Sequence, residues 1–246
     1  MTAPPVAAGS TEPATLTSNG DRVARAAQAI APLLNRVVFT GRQVAQLLHT
    51  SPFASTPGSF AADAVLRVLS TATLDRVAAD VQRLGLARGQ RTVAGDRWIV
   101  ADGVTVEFIY IAGDDRDPGA IWMEYASLLT MAVEVGTTER PLIVRITGAP
   151  ALLALDWATV RARNQSPLDS GELEDIVALV AGRDEVVREV AASPAELRHF
   201  VAAETRRFLG YDGAEHVMRN AIPGAARLPA LVVRASERLR SIAGLG

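Results

Sequence analysis

Hydrophobic positions recur at helical spacing along residues 21–34, "DRVARAAQAIAPLL", with Asn19 or Asp21 placed to cap the first turn. The period then shortens. "RVVF" (36–39) reads as a short buried strand, Gly41 interrupts it, and "RQVAQLLH" (42–49) returns to helical spacing. After a Pro/Ser/Thr-rich loop, "ADAVLRVL" (62–69) predicts a strand and "TLDRVAADVQRLG" (73–85) a helix ended by Gly85. Three strands are expected at 90–94, 97–101 and 104–112, with hairpin turns at Gly95-Asp96 and Asp102-Gly103. "AIWMEYASLL" reads as helix, and "TMAVEVG" and "PLIVRITG" as two further strands. From 149 onward the spacing is helical, over 150–163, 171–181, 184–191, 195–208 and 228–242, with Pro194 and Glu196 opening the fourth of these. No internal repeat is visible.

This order predicts an α+β fold: a mixed β-sheet core with flanking helices over 21–148, then a C-terminal helical subdomain over 149–246. Residues 1–20, rich in Pro, Ala, Ser and Thr, read as a disordered tail without the charged and apolar regions of a signal peptide. No run of 18 apolar residues occurs, so no membrane span and a cytoplasmic location are expected.

Composition removes whole classes of chemistry. The chain has no cysteine, which excludes disulfides, thiolate nucleophiles and cysteine-ligated metals. Its three histidines, His49, His199 and His216, are too scattered for a histidine metal site. All 25 basic residues are arginine, so no Schiff base and no lysine contact to phosphate can form. A net charge of −2 gives no sign of DNA binding.

Several acids stand where chemistry is conceivable. Asp63 opens the strand at 62–69 and serves either as a turn-flanking residue or as a metal ligand. Glu107 lies among Val, Phe, Ile and Tyr, on a solvated strand face or in a site. Arg67 shares a strand face with Asp63 and Val65 by alternation. Asp156 interrupts the apolar face of "ALLALDWATVRAR". Glu172 and Asp175 open the next helix, where acids favour the dipole, and Asp175 is placed to pair with Arg161 or Arg163. The acidic loop "GDDRDPG" (113–119) matches no metal-binding spacing and reads as a solvated turn.

The segments "LALDWATVRAR", "ELEDIVALVAGRDEVVREV" and "PAELRHFVAAETRRFL" resemble the nucleotidyltransferase-like superfamily, specifically its AbiEii-type toxin branch, over roughly 35–208. The resemblance implies a corner at Gly41 that cradles a triphosphate, with Arg42 where a small residue is usual. It implies Asp63 as the first acid of an Asp-x-Asp pair and Glu107 as the third carboxylate, both metal-binding and catalytic, with Val65 in the place of the second acid. Asp156 stands where a helical lysine contacts phosphate. Mg²⁺ and a nucleoside triphosphate are the implied cofactor and ligand, with an antitoxin protein and RNA as implied partners.

Exchanging a cation for Asp156 removes an attraction and adds a repulsion, each on the order of 4 kcal/mol near 4 Å at an effective dielectric of ~20. The leading expectation is an eroded site with a binding or regulatory role, in which Asp156 pairs with Arg42 or Arg67 in place of lysine, metal and nucleotide. The alternative for Asp156 is a solvent-facing side chain. The competing function is an active Mg²⁺-dependent transferase in which Asp63 and Glu107 hold one metal and arginines replace the lysine. A plain interaction or scaffold protein is the third.

Overall fold

Seven strands and ten helices form among the residues that this computed structural model describes: 19–51, 61–68, 71–91, 95–99, 104–112, 120–137, 139–163, 171–222 and 229–245. Helix α1 (Asn19–Ala29) leads through a short 3-10 turn into β1 (Val37–Thr40) and α2 (Arg42–Leu47). Then come β2 (Ala61–Val68), α3 (Thr71–Arg83), β3 (Ala87–Arg91), β4 (Gly95–Ile99) and β5 (Thr105–Ala112). Helix α4 (Ala120–Leu128) precedes the hairpin of β6 (Thr130–Thr137) and β7 (Arg140–Thr147). The rest is helical: α5 (Ala149–Ala162), α6 (Gly171–Gly182), α7 (Val186–Ala192), α8 (Ala195–Leu209), α9 (Ala214–Ala221) and α10 (Pro229–Ala243). The architecture is the expected α+β arrangement.

The strands make one mixed sheet in the order β3-β4-β5-β2-β1-β7-β6. The expected β3–β4–β5 meander is antiparallel, while β2 runs parallel to β5 and β1 parallel to β7. Three expectations need correction. Gly95 and Asp96 do not form a turn; they belong to β4 and pair with Ile109 and Phe108. Helix α9 was not anticipated, although Ala214, Val217, Met218 and Ala221 bury one face of it at helical spacing. The expected tail also ends earlier than 20, since Asn19 and Gly20 belong to α1; residues 1–18 and the turn at Asp102-Gly103 lie outside the described residues.

One sheet face carries most of the buried hydrocarbon of the sheet. Phe39, Ile146, Trp98, Val106 and Phe108 are all buried on it, and they join a single core cluster that runs from Val23 in α1 to Ile242 in α10. Side chains of this size each contribute roughly 1.5–3 kcal/mol when fully buried. The opposite face carries both the polar row described below and a hydrocarbon row beside it, Val38–Val65–Ile109.

Helix α6 packs against α2 and against α5, α9 and α10, and is buried along nearly its whole length from Leu173 to Gly182. Its C-terminal carbonyls are densely satisfied. Arg238 of α10 donates to the carbonyls of Val180 (2.9 Å), Ala181 (3.0 Å) and Arg183 (3.1 Å), and the Gly182 carbonyl accepts from the backbone N–H groups of Thr50 and Ser51, both at 2.9 Å. Arg183 donates to the Leu48 carbonyl and forms a forked pair with Glu189. These bonds answer the unpaired carbonyls that every helix end leaves.

Candidate functional site

The corner between β1 and α2 depends on glycine. Gly41 adopts φ 79° and ψ −169°, a region essentially closed to residues with a Cβ, at a cost of about 1–3 kcal/mol. Its carbonyl then accepts from the N–H groups of Val44 (3.0 Å) and Ala45 (3.3 Å), starting the helix.

Just before this corner, a polar row crosses the sheet. Thr40 of β1 lies opposite Asp63 of β2, Asp63 opposite Glu107 of β5, and Glu107 opposite Arg97 of β4. Residues opposite one another in register share a sheet face, on strands about 4.8 Å apart. Gly41, Asp63 and Glu107 are thereby brought to one end of three adjacent strands. Glu107 is buried, which removes its reading as a residue on a solvated face. The side chains of Asp63, Arg67 and Arg97 lie outside the described residues, so the register alone places them. Arg67 falls opposite Ile111, four positions along β2 from Asp63 and therefore roughly 13 Å from it along the strand. The row between them on that face is Val38–Val65–Ile109, which offers no oxygen.

Thr40 completes the polar row. It is 3% exposed, and its hydroxyl Oγ1 is buried without a hydrogen-bond partner. An unsatisfied buried hydroxyl costs on the order of 1–3 kcal/mol.

Arg42 opens α2 but turns away from the position assigned to it. Its Nε donates to Asp175 Oδ2 at 2.8 Å and its Nη2 to the Gly171 carbonyl at 3.0 Å, so it grips the first turn of α6. The expected Arg42–Asp156 pair is not made. Asp156, half-buried on α5, has an interaction of its own, and the other partner considered for it, Arg67, has no described side chain. Asp175 likewise does not pair with Arg161 or Arg163: Arg161 reaches Glu204 (3.4 Å) and Arg163 reaches Glu172 (2.6 Å).

The electrostatics of the Arg42–Asp175 pair are uneven. Burial pushes the Asp175 carboxyl up to about 6; the hydrogen bond and charge of Arg42 pull it down, and Glu172 and Glu174 raise it further. Burial also disfavours the charge on Arg42, yet the hydrogen bond and charge of Asp175 prevail there and its pKa is raised. The two differ because the Asp175 side chain is 7% exposed and that of Arg42 28%. Desolvation wins at the acid and the ion pair wins at the base. Asp175 Oδ1 is also buried without a partner.

The carboxylates at Asp63 and Glu107 fit a hard divalent cation such as Mg²⁺, which takes oxygen ligands. Thr40 and Arg97 are the residues of this row that sequence reasoning missed; only the strand registers reveal them. Among the described residues no three His, Cys, Asp or Glu side chains gather as a metal site.

No protein-family model matches the sequence, and no curated protein matches it. Among solved structures the chain is similar to the antibiotic-resistance factor ANT(2'')-Ia, with TM-score 0.44 and 13% identity, covering 80% of this chain and 96% of that one. It is also similar to an antigenic nucleotidyltransferase-like protein from Paracoccidioides brasiliensis, with TM-score 0.45 and 12% identity, covering 88% and 94%. A protein from H. pylori described as a nucleotidyltransferase matches at TM-score 0.49 and 9% identity, covering 91% and 94%. Likeness of this degree assigns no activity, and the chemistry is read from the residues themselves. Among the described residues no helix is long and apolar enough to cross a membrane.

Proposed function

We propose that this chain is a nucleotidyltransferase-like protein that binds a nucleoside triphosphate with one divalent cation and has reduced or lost transfer chemistry. The observation that carries this reading is the register of Asp63 opposite Glu107, one strand from the Gly41 corner. Asp63 and Glu107 would hold Mg²⁺, and the bound ion would supply the positive charge that a triphosphate needs. The backbone at Gly41 allows close approach because no side chain stands there.

Three residues argue against efficient transfer. Val65 offers no ligand for a second ion, and two-metal catalysis needs oxygens for both. No lysine is available to the phosphates, and Asp156 stands where the resemblance places one. Arg42, the cation nearest the corner in sequence, is engaged by Asp175. The resemblance to AbiEii-type proteins favours a toxin–antitoxin setting, with an antitoxin protein as partner and an RNA end or a protein hydroxyl as acceptor where transfer survives.

Isothermal titration of the full chain with Mg²⁺–ATP and Mg²⁺–CTP, alongside a transfer assay with α-labelled nucleotide, tests the reading. The expected outcome is saturable, Mg²⁺-dependent binding that Asp63→Ala and Glu107→Ala abolish, with little label transferred. Absence of binding at millimolar nucleotide overturns the proposal in favour of a scaffold. Rapid transfer dependent on Asp63 and Glu107 overturns the loss of chemistry and makes the chain an active enzyme.

A further inference from the structure

We infer that Thr40 supplies, through its hydroxyl oxygen, a third protein ligand to the divalent cation held by Asp63 and Glu107. This rests on the cation site proposed above and adds a ligand to it.

The argument begins with where oxygen can come from. A site built on two acids of one strand would use residues 63 and 65, but position 65 is valine, and its neighbours in register, Val38 and Ile109, are hydrocarbon. No ligand is available in that direction along the sheet. Across the sheet the situation reverses, because Thr40, Asp63 and Glu107 follow one another on β1, β2 and β5 and share a face. Magnesium and manganese favour such hard oxygen donors, neutral hydroxyls included.

The state of Thr40 supplies an independent observation. Its side chain is almost wholly buried at the end of β1, yet its hydroxyl has no hydrogen-bond partner. Buried hydroxyls are ordinarily paired, and one that is not asks for a missing group. Thr147, in β7 on the other side of β1, behaves in the ordinary way and donates to the Ala126 carbonyl at 3.1 Å. A cation beside Thr40 Oγ1 would use its lone pairs, which no donor now claims.

The ligand lengths agree with this placement. A hydroxyl on Cβ reaches less far than a carboxylate, so an ion shared with Thr40 would have to lie near β1. The ligand on β5 must then reach further, and position 107 carries Glu, one methylene longer than Asp. Gly41 follows directly, so the ion would sit against the corner that leaves room for phosphate oxygens.

The test uses the full chain and Mn²⁺ as probe, with binding followed by loss of the free-ion paramagnetic signal and by titration calorimetry, and with thermal melting in chelator. Thr40→Val keeps the shape and removes the oxygen. It should weaken Mn²⁺ binding about tenfold or more, while the metal-free melting temperature stays level or rises, because an unsatisfied hydroxyl is gone. Thr40→Ser should restore binding to within about threefold of wild type. Thr40→Ala, which introduces no new bulk, gives the same reading if the valine variant does not fold. Binding by Thr40→Val or Thr40→Ala equal to wild type, with Asp63→Asn still abolishing it, overturns the role of Thr40 alone. A wild-type chain that takes up no Mn²⁺ overturns the cation site and this ligand together.

Discussion

The two ends of helix α6 are both held by arginine, but to different effect. At the C-terminal end, Arg238 and Arg183 donate to carbonyl oxygens that need donors, and their leftover charge is met by Asp184 and Glu189 on or near the surface. The hydrogen bond from Arg238 holds the exposed Asp184 carboxyl below its ordinary range. At the N-terminal end, Arg42 meets a carboxylate that lies deeper than itself. One oxygen of Asp175 is bonded, the other is not, and burial holds the acid partly protonated near neutral pH. An arginine on carbonyls is a settled arrangement; an arginine on a desolvated acid leaves an imbalance that pH can shift.

The comparison is open to direct challenge, starting at the settled end. Arg238→Ala strips donors from three carbonyls at once and should destabilise the chain by about 3 kcal/mol, read by urea unfolding at pH 7. A loss under about 1 kcal/mol would mean that water serves those carbonyls as well as the guanidinium does. At the other end, Arg42→Ala leaves the Asp175 carboxylate buried with no cation. The expected loss is about 2 kcal/mol at pH 7, shrinking by pH 5 because the carboxyl can then take up a proton. A loss that does not vary with pH would place Asp175 among ordinary surface acids.

The acid itself gives a sharper reading. Its folded pKa of about 6 lies above the ordinary 3.8, so the folded state keeps a proton that the unfolded chain has already released. That contribution to stability is whole below the ordinary range and is lost as pH climbs to about 6. The difference in stability between wild type and Asp175→Asn should therefore move in the variant's favour over that window and level off above it. The opposite slope would show that Arg42 outweighs burial at the acid. The smallest effect is expected between Arg42 and Asp156: their alanine variants should add, with a coupling under about 0.5 kcal/mol.

Why sequence reading paired Arg42 with the wrong acid is a matter of range. The alternation and helical periods that revealed β1, β2, β5 and most helices within a few residues are local, and they depend on one face being buried. The partner of Arg42 is 133 positions away, and no local period says which of the acids near α5 and α6 it meets. The Asp63–Glu107 adjacency was legible as two acids on strands, but its register needs the β2–β5 crossover, which encloses α3, β3 and β4. Arg97 and Thr40 stayed hidden for the same reason. The turn assigned to Gly95-Asp96 failed because the dipeptide signals a hairpin only when no better pairing exists, and β5 provides one. Helix α9, at eight residues, is too short for its pattern to stand out from a loop.

Gly171 closes one last circle. A methyl group there would come within 2.7 Å of the Arg42 guanidinium nitrogen, so this first residue of α6 tolerates a side chain only if the arginine lets go. Arg42 and two positions in the first turns of α6 thus share one fate. In related proteins, loss of the arginine should free position 171 to diversify and relax the demand for an acid at 175, and the trio should drift together through evolution rather than one at a time.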